Sequence, residues 1–520
     1  MPLSHLFVIY LIQVLLVFLP SFGLAKLFPK AGIPAWKAYV PFYNTWEMQK
    51  VVKRPMHWVF WQLIPVVGWF ITPGIFIEFA KIFGRFSIPH HTGAALLAPL
   101  YFPYIATQKD TRFIGAEGVK HHKKGTAREW FDAAIFAVVA ATIIRTFIFE
   151  AYVIPTSSME KTLLVKDFLF VSKLSYGPRI PNTPLSVPFV HNYLPFGSSR
   201  KSYSEAIKIP YARWFASPVK RNDCVVFNYP EGDTVINLPQ YQSASPYYDA
   251  IRNDNGTFND TSRQAILSNP GQWPIAVHPV DKTDNYIKRC VAIAGDTLKV
   301  VNGVLYIDGQ PAYVSPTQST YYTFKVKNSV ISEEDLKQAG IRLNMKEERL
   351  TSNDFFILGD VCHANLTKNE LEILKTIANV DTTTIQQDYA IIPGGLFPHD
   401  TNYFKWSVDN FGGDGLWVPK AGEKIQLTPQ NVCIYKRCIG FYEGNTFEDR
   451  AGKYFINGKE ATSYTFKMNY YWMMGDNRHK SQDSRYWGFV SEDRVVGKAW
   501  MIWMSWDEGP RWKRLFKIVK

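Results

Sequence analysis

Residues 284–296 read D-N-Y-I-K-R-C-V-A-I-A-G-D, a run of branched and aromatic residues closed by a Gly-Asp pair, which predicts a β-strand. Alternation puts Lys288 on one face with Tyr286 and Cys290, opposite Ile287, Arg289 and Val291. A lone strand lysine is ordinarily exposed and protonated, with a pKa of about 10.4. Among uncharged neighbours the ammonium is disfavoured and the pKa falls toward neutrality. Lys288 is therefore a candidate base held in a sheet.

Outward from that strand the text stays β. Short branched or aromatic runs are F-L-F-V-S from Phe168, V-V-F-N-Y from Val225, T-L-K-V-V from Thr297 and V-L-Y-I from Val304. Others are F-K-V-K from Phe324 and W-M-I-W-M from Trp500. Asn302-Gly303 is a two-residue hairpin signal, and Asp308-Gly309 and Asn457-Gly458 follow similar strings. Residues 180–220 are rich in Pro, Ser and Tyr and read as surface loop. S-E-E-D-L-K-Q-A from Ser332 and N-E-L-E-I-L-K-T from Asn369 predict two short amphipathic helices inside an insertion.

The N-terminal part differs. Residues 1–150 carry 15 Lys/Arg and 7 Asp/Glu, a net of +8 out of the whole chain's +13, yet they are the most hydrophobic part. Basic loops beside a membrane explain this better than a nucleic-acid-binding face, so no nucleic-acid partner is expected. Candidate spans are 5–24, 57–80, 92–107 and 131–149, against a requirement of roughly 20 apolar residues. The first lacks a basic start and a good small-residue cleavage site, and is expected to stay in the chain. Loops 25–56 and 108–130 hold six Lys/Arg each and loop 81–91 holds two. That asymmetry puts the N-terminus and the region after residue 150 outside.

Two further clusters carry chemistry. I-P-T-S-S-M, Ile154 to Met159, follows the last span, and G-D-N-R-H-K-S-Q-D-S-R runs from Gly475 to Arg485. A serine hydroxyl needs a base to take its proton, and Lys288 could supply it. Ser158-Met-Glu-Lys161 is also formally the S-x-x-K of penicillin-binding enzymes, although no K-T-G occurs. A catalytically idle membrane scaffold is the third reading.

The run P-T-S-S-M-E-K-T-L-L-V-K-D-F-L-F-V-S-K, the string Y-I-K-R-C-V followed by G-D, and the Gly475–Arg485 run together resemble the type I signal peptidases. These are membrane serine proteases that remove signal peptides from exported preproteins. The resemblance implies a mainly β catalytic domain of coiled sheets over about 151–520, behind an N-terminal α-helical transmembrane region over 1–150. Insertions would lie at about 180–220 and 230–280, with a larger accessory subdomain at about 310–465. It implies Ser158 as nucleophile, Lys288 as base, and an oxyanion site made by the Ser158 N–H and the Thr156 hydroxyl. Ser481 would hydrogen-bond and orient the Lys288 amine, Asp483 and Arg485 would pair, and Asp476, Asn477 and Arg478 would support the loop. Ile154, Met159, Leu163, Tyr286 and Ile287 would line pockets for small residues at −1 and −3, giving Ala-x-Ala specificity. No cofactor or metal is implied. The partners implied are preprotein signal peptides, the lipid bilayer of a bacterial inner membrane and the export translocon, with the catalytic domain on the periplasmic side.

The chain departs from this pattern in R-N-D-C-V-V-F from Arg221, with Asn222 where glycine is usual and Cys224 where an aliphatic residue is. The five cysteines, Cys224, Cys290, Cys362, Cys433 and Cys438, leave at least one thiol unpaired. Cys433 and Cys438 would point to opposite faces of a straight strand, so a bridge between them requires a bend.

Overall fold

A computed structural model describes residues 3–64, 67–122, 125–195, 200–238, 241, 246–252, 258–328, 330–345, 353–388 and 395–520. The polar stretch 253–257 inside the 230–280 insertion lies outside the described residues. By its contacts the chain divides into two compact units: residues 1–148 with 178–214, and residues 149–177 with 215–520.

The first unit is helical. Residues 57–80 fold as helices His57–Gln62 and Val67–Lys81, and residues 92–107 fall into Ile88–Leu96 and Ala98–Thr107. Pro99 opens the last of these, where its missing N–H costs nothing. Leu24, Phe28, Phe76, Phe79 and Phe102 fill a shared core. Three of its buried polar side chains bond one another: Gln62 donates to Thr72 Oγ1 at 2.8 Å, and Thr45 Oγ1 donates to Gln62 Oε1 at 2.6 Å. Two helical stretches, Tyr10–Leu27 and Thr126–Phe147, are long and apolar enough to cross a membrane. Thr126–Phe147 leaves Trp130 and Phe136 about three-quarters exposed, a surface suited to lipid rather than water.

The second unit is built on an eight-stranded antiparallel sheet. Its strands are β1 (Phe149–Val153), β2 (Asp167–Ser172), β3 (Cys224–Asn228), β4 (Asn285–Ala292), β5 (Tyr470–Met474), β6 (Val490–Ser491), β7 (Val495–Ser505) and β8 (Lys517–Ile518). The order is β1-β2-β7-β3-β4-β5-β6, with β8 on β7. Register shifts in the β2–β7, β3–β7 and β4–β5 ladders bend the sheet, as bulges do. In the centre β3 pairs with β4, Val225 opposite Lys288 and Cys224 opposite Arg289. Both faces of β4 are covered: Cys290 packs with Phe227, Met473 and Trp487, and Ile287 with Ile154, Met159 and Leu163.

Two four-stranded sheets fill the long interval before β5. One contains Ser319–Val326, Phe355–Leu358, Val361–Thr367 and Val380–Gln387, and the other Thr297–Val301, Val304–Ile307, Gln310–Pro311 and Phe411–Trp417. Asn302-Gly303 makes the expected hairpin with both φ angles positive, 47° and 74°, as a two-residue I′ turn requires. The two amphipathic helices form at Glu333–Gln338 and Lys368–Thr376. Each begins on a capping box, Ser332 with Asp335 and Thr367 with Glu370. All five cysteines are free thiols. Cys433 lies in helix Pro429–Arg437 and Cys438 in the π-helical turn that continues it, so the strand premise for that pair does not hold.

Candidate active site

Ser158 lies between β1 and β2 in the single 3₁₀ turn Ser157–Met159. That turn is secured from below. Asn477 donates its backbone N–H to the Ser158 carbonyl at 3.1 Å and its Nδ2 to the Ser157 carbonyl at 3.1 Å. Gly475 allows this approach, since a Cβ there would lie 2.5 Å from the Ser158 carbonyl oxygen and 2.2 Å from Ser481 Oγ. Thr156 precedes the turn in extended conformation and is exposed, and its hydroxyl makes no capping bond.

Lys288 reaches Ser158 from the centre of β4. Its Nζ donates to Ser158 Oγ at 2.5 Å, and the side chain is only 3% exposed. Burial pushes its pKa down to about 8, outweighing the opposing attraction of Asp483 and Asp476, while Arg485 acts in the lowering direction. The amine's surroundings are therefore not uncharged, as the strand pattern suggests, but charge-balanced. Asp483 accepts from Arg485 Nε and Nη2, both at 2.8 Å, and Asp476 accepts from Arg289 Nε at 2.8 Å and Nη2 at 2.6 Å. Burial raises the Asp483 carboxyl, but Arg485, with the Gly475 N–H and the Ser481 hydroxyl, more than reverses this and holds it below the usual range. Such bidentate pairs keep their charges compensated in a dry interior.

The pocket residues divide. Ile154, Met159, Leu163 and Ile287 form one apolar cluster with Leu169 and Ile502. Tyr286 lies on the other side of β4, stacked on Tyr229 at 4.6 Å, with its ring centre 5.6 Å from Lys288 Nζ. Ser481 Oγ is buried beside the Asp483 carboxylate and makes no hydrogen bond to the Lys288 amine in this structure, so the bond expected from it is not formed. Arg478 gives its carbonyl to Arg485 Nη2 at 2.6 Å. Its own guanidinium has its pKa lowered to about 10 by burial and then by Arg485. Among the described residues no three His, Cys, Asp or Glu side chains converge to hold a metal ion.

Further residues shape the surroundings of the site. Lys161, the lysine of the S-x-x-K string, points away from Ser158: its Nζ donates to Glu370 Oε2 at 2.5 Å and to the Asn365 carbonyl at 2.8 Å. Asn365 Nδ2 in turn bonds Asn477 Oδ1 at 3.2 Å. Thr162 Oγ1 donates to Asp476 Oδ2 at 2.6 Å, and Lys480 pairs with Asp354 at 3.1 Å. The accessory sheet is thus bonded to both the nucleophile turn and the Gly475–Arg485 loop. The departure at Asn222 also has a cause. Its φ is 73°, a conformation that suits glycine and that asparagine tolerates best among the others. Cys224 beside it is buried, which pushes its thiol up to about 12 and leaves it inert.

A buried amine on a serine hydroxyl, set in a bent antiparallel sheet, is an arrangement suited to a serine hydrolase. The comparisons with known proteins agree with that class. The family described as signal peptidase, peptidase S26, matches residues 127–364 and 418–506, more than half of the chain. The chain belongs to this family. A family of unknown function (DUF5684) matches residues 36–116. Signal peptidase I of Haemophilus influenzae is 24% identical, covering 75% of this chain and 75% of the relative. Signal peptidase I of Buchnera aphidicola subsp. Schizaphis graminum is 23% identical over 72% and 77%, and that of Helicobacter pylori 22% over 74% and 89%.

Proposed function

We propose that this protein is a membrane-bound serine endopeptidase that cleaves signal peptides from exported preproteins after Ala-x-Ala-like sites. The observation that supports this reading most directly is the 2.5 Å contact of the buried Lys288 amine with Ser158 Oγ. In the reaction, neutral Lys288 takes the Ser158 proton as Oγ attacks the scissile carbonyl, forming the tetrahedral intermediate. The Ser158 N–H and the Thr156 hydroxyl stabilise the oxyanion; such donors are worth about 10²–10³ in rate each. The Lys288 ammonium then returns its proton to the leaving amine, and the acyl-enzyme is hydrolysed by water that Lys288 deprotonates. The cluster of Ile154, Met159, Leu163 and Ile287, with Tyr286 from the other side of β4, selects small residues at −1 and −3.

The reading places the protein in a bacterial inner membrane, with an even number of spans, the N-terminus and the catalytic unit on the periplasmic side, and the export translocon as supplier of preproteins. Incubation of detergent-purified protein with a preprotein, followed by sequencing of the new N-terminus, tests the activity. Release of a mature chain cut after Ala-x-Ala is expected; no release, or release undiminished by Ser158→Ala, overturns it. For topology, a cysteine at position 459, in an exposed hairpin, should react with an impermeant thiol reagent in intact cells, and one at position 122 should not. The inverse pattern refutes the orientation.

A further inference from the structure

The nucleophile turn has a second flank, where charged and apolar side chains mix. Thr156, Ser157 and Glu160 border a groove of about 640 Å³ whose opposite wall is helix Glu333–Gln338 and the segment Arg342–Met345 of the accessory region. The charged side chains there are largely matched among themselves or with neighbours. Lys337 pairs with Glu333, Arg511 with Asp507, Lys161 with Glu370 and Asp354 with Lys480. Glu160 is different: it is 7% exposed, and its Oε2 is buried with no hydrogen-bond partner. A buried carboxylate oxygen without a donor is costly, and such a cost persists where a ligand supplies the missing partner.

We propose that this groove receives the first residues of the mature chain, on the carboxyl side of the scissile bond, and that Glu160 binds a basic side chain there. The inference rests on the peptidase reading above. Small apolar residues before the bond suit the opposite flank, where Ile154, Met159 and Leu163 cluster, whereas this flank sets charged side chains, among them one carboxylate oxygen without a partner, among apolar ones. Position supports it too, since Glu160 follows Ser158 by two residues and its backbone N–H closes the nucleophile turn onto the Ser157 carbonyl at 2.8 Å. Burial, then the neighbouring Asp354, pushes the Glu160 pKa up to about 7, with a smaller rise from Asp167, against the lowering effects of Lys480 and Arg511. An incoming ammonium or guanidinium would restore the carboxylate. One wall of the groove comes from the accessory region, so the preference would be a property of that region as well as of the nucleophile turn.

The test is a set of preprotein peptides with one Ala-x-Ala site and either Lys or Glu at each of the first four positions after the cut. With the full-length enzyme, kcat/KM should favour Lys by about tenfold or more at one of these positions, the size expected for a charge-assisted bond to a carboxylate. Glu160→Gln should bring that ratio to near one while still cleaving. Arg342→Glu, on the opposite wall, should widen it, and serves if Glu160→Gln does not fold. A ratio near one in the wild type, or one unchanged by either variant, overturns the proposal alone. Failure of the wild type to cut any peptide overturns the peptidase reading with it.

Discussion

Lys161 and Glu370 stand 209 positions apart and form a buried ion pair at 2.5 Å, their side chains 3% and 5% exposed. Glu370 also completes the capping box that starts helix Lys368–Thr376, so a single carboxylate joins that helix to the nucleophile turn. Burial raises the Glu370 carboxyl, but Lys161 and the Thr367 donors more than reverse this. Glu370→Gln should therefore strand a buried ammonium and cost about 3–5 kcal/mol of stability. Replacing both partners with apolar residues of similar volume should recover most of that loss. Denaturant unfolding of the single and double variants checks it; a single-variant cost below about 1 kcal/mol would show the pair to be dispensable.

The nucleophile assignment separates two adjacent serines. Ser158→Ala removes the hydroxyl that Lys288 touches and should leave a folded, inactive protein. Ser157→Ala keeps the carbonyl that Asn477 Nδ2 holds, so it should retain substantial activity. N-terminal sequencing of products from both variants decides the register, and the reverse outcome moves the nucleophile by one residue.

Acid should silence the enzyme before it unfolds it. Only the neutral Lys288 amine can take a proton, and its pKa lies at about 8 because it is buried. kcat/KM should rise with pH through that value and level off above it. Lys288→Arg keeps the charge but cannot act as a base, so activity should fall to background at every pH. A flat profile between pH 6 and 9, or an active Lys288→Arg enzyme, refutes the role.

Ser481 gives a subtler test. Its hydroxyl makes no bond to Lys288 here and meets Asp483 only in poor geometry, so Ser481→Ala should change stability by no more than about 1 kcal/mol. If the hydroxyl engages Lys288 only when substrate is bound, kcat should drop while KM holds, and by less than in Lys288→Arg. Equal losses in both variants would make Ser481 part of the proton transfer itself.

What the sequence determined by itself are the features that live within a few residues. Alternation in D-N-Y-I-K-R-C-V names a strand, Asn302-Gly303 names the turn of the hairpin that follows, and S-E-E-D-L-K-Q-A and N-E-L-E-I-L-K-T name helices, because backbone geometry and short-range bonds enforce them. The Asp483–Arg485 pair was expected only from the resemblance of the Gly475–Arg485 run to the signal peptidases, not from the spacing of the two residues. Tertiary structure decided the rest. Both faces of β4 are buried, so alternation sorts Tyr286 from Ile287 but says nothing of what either meets. Arg289 was visible only as the residue facing away from Lys288, and its partner Asp476 lies 187 positions on. Glu370 and Asn365 reach the nucleophile turn from more than 200 positions away, across an insertion whose own text is ordinary amphipathic helix and strand. Contacts at that separation follow from how whole sheets pack, and no local period records them.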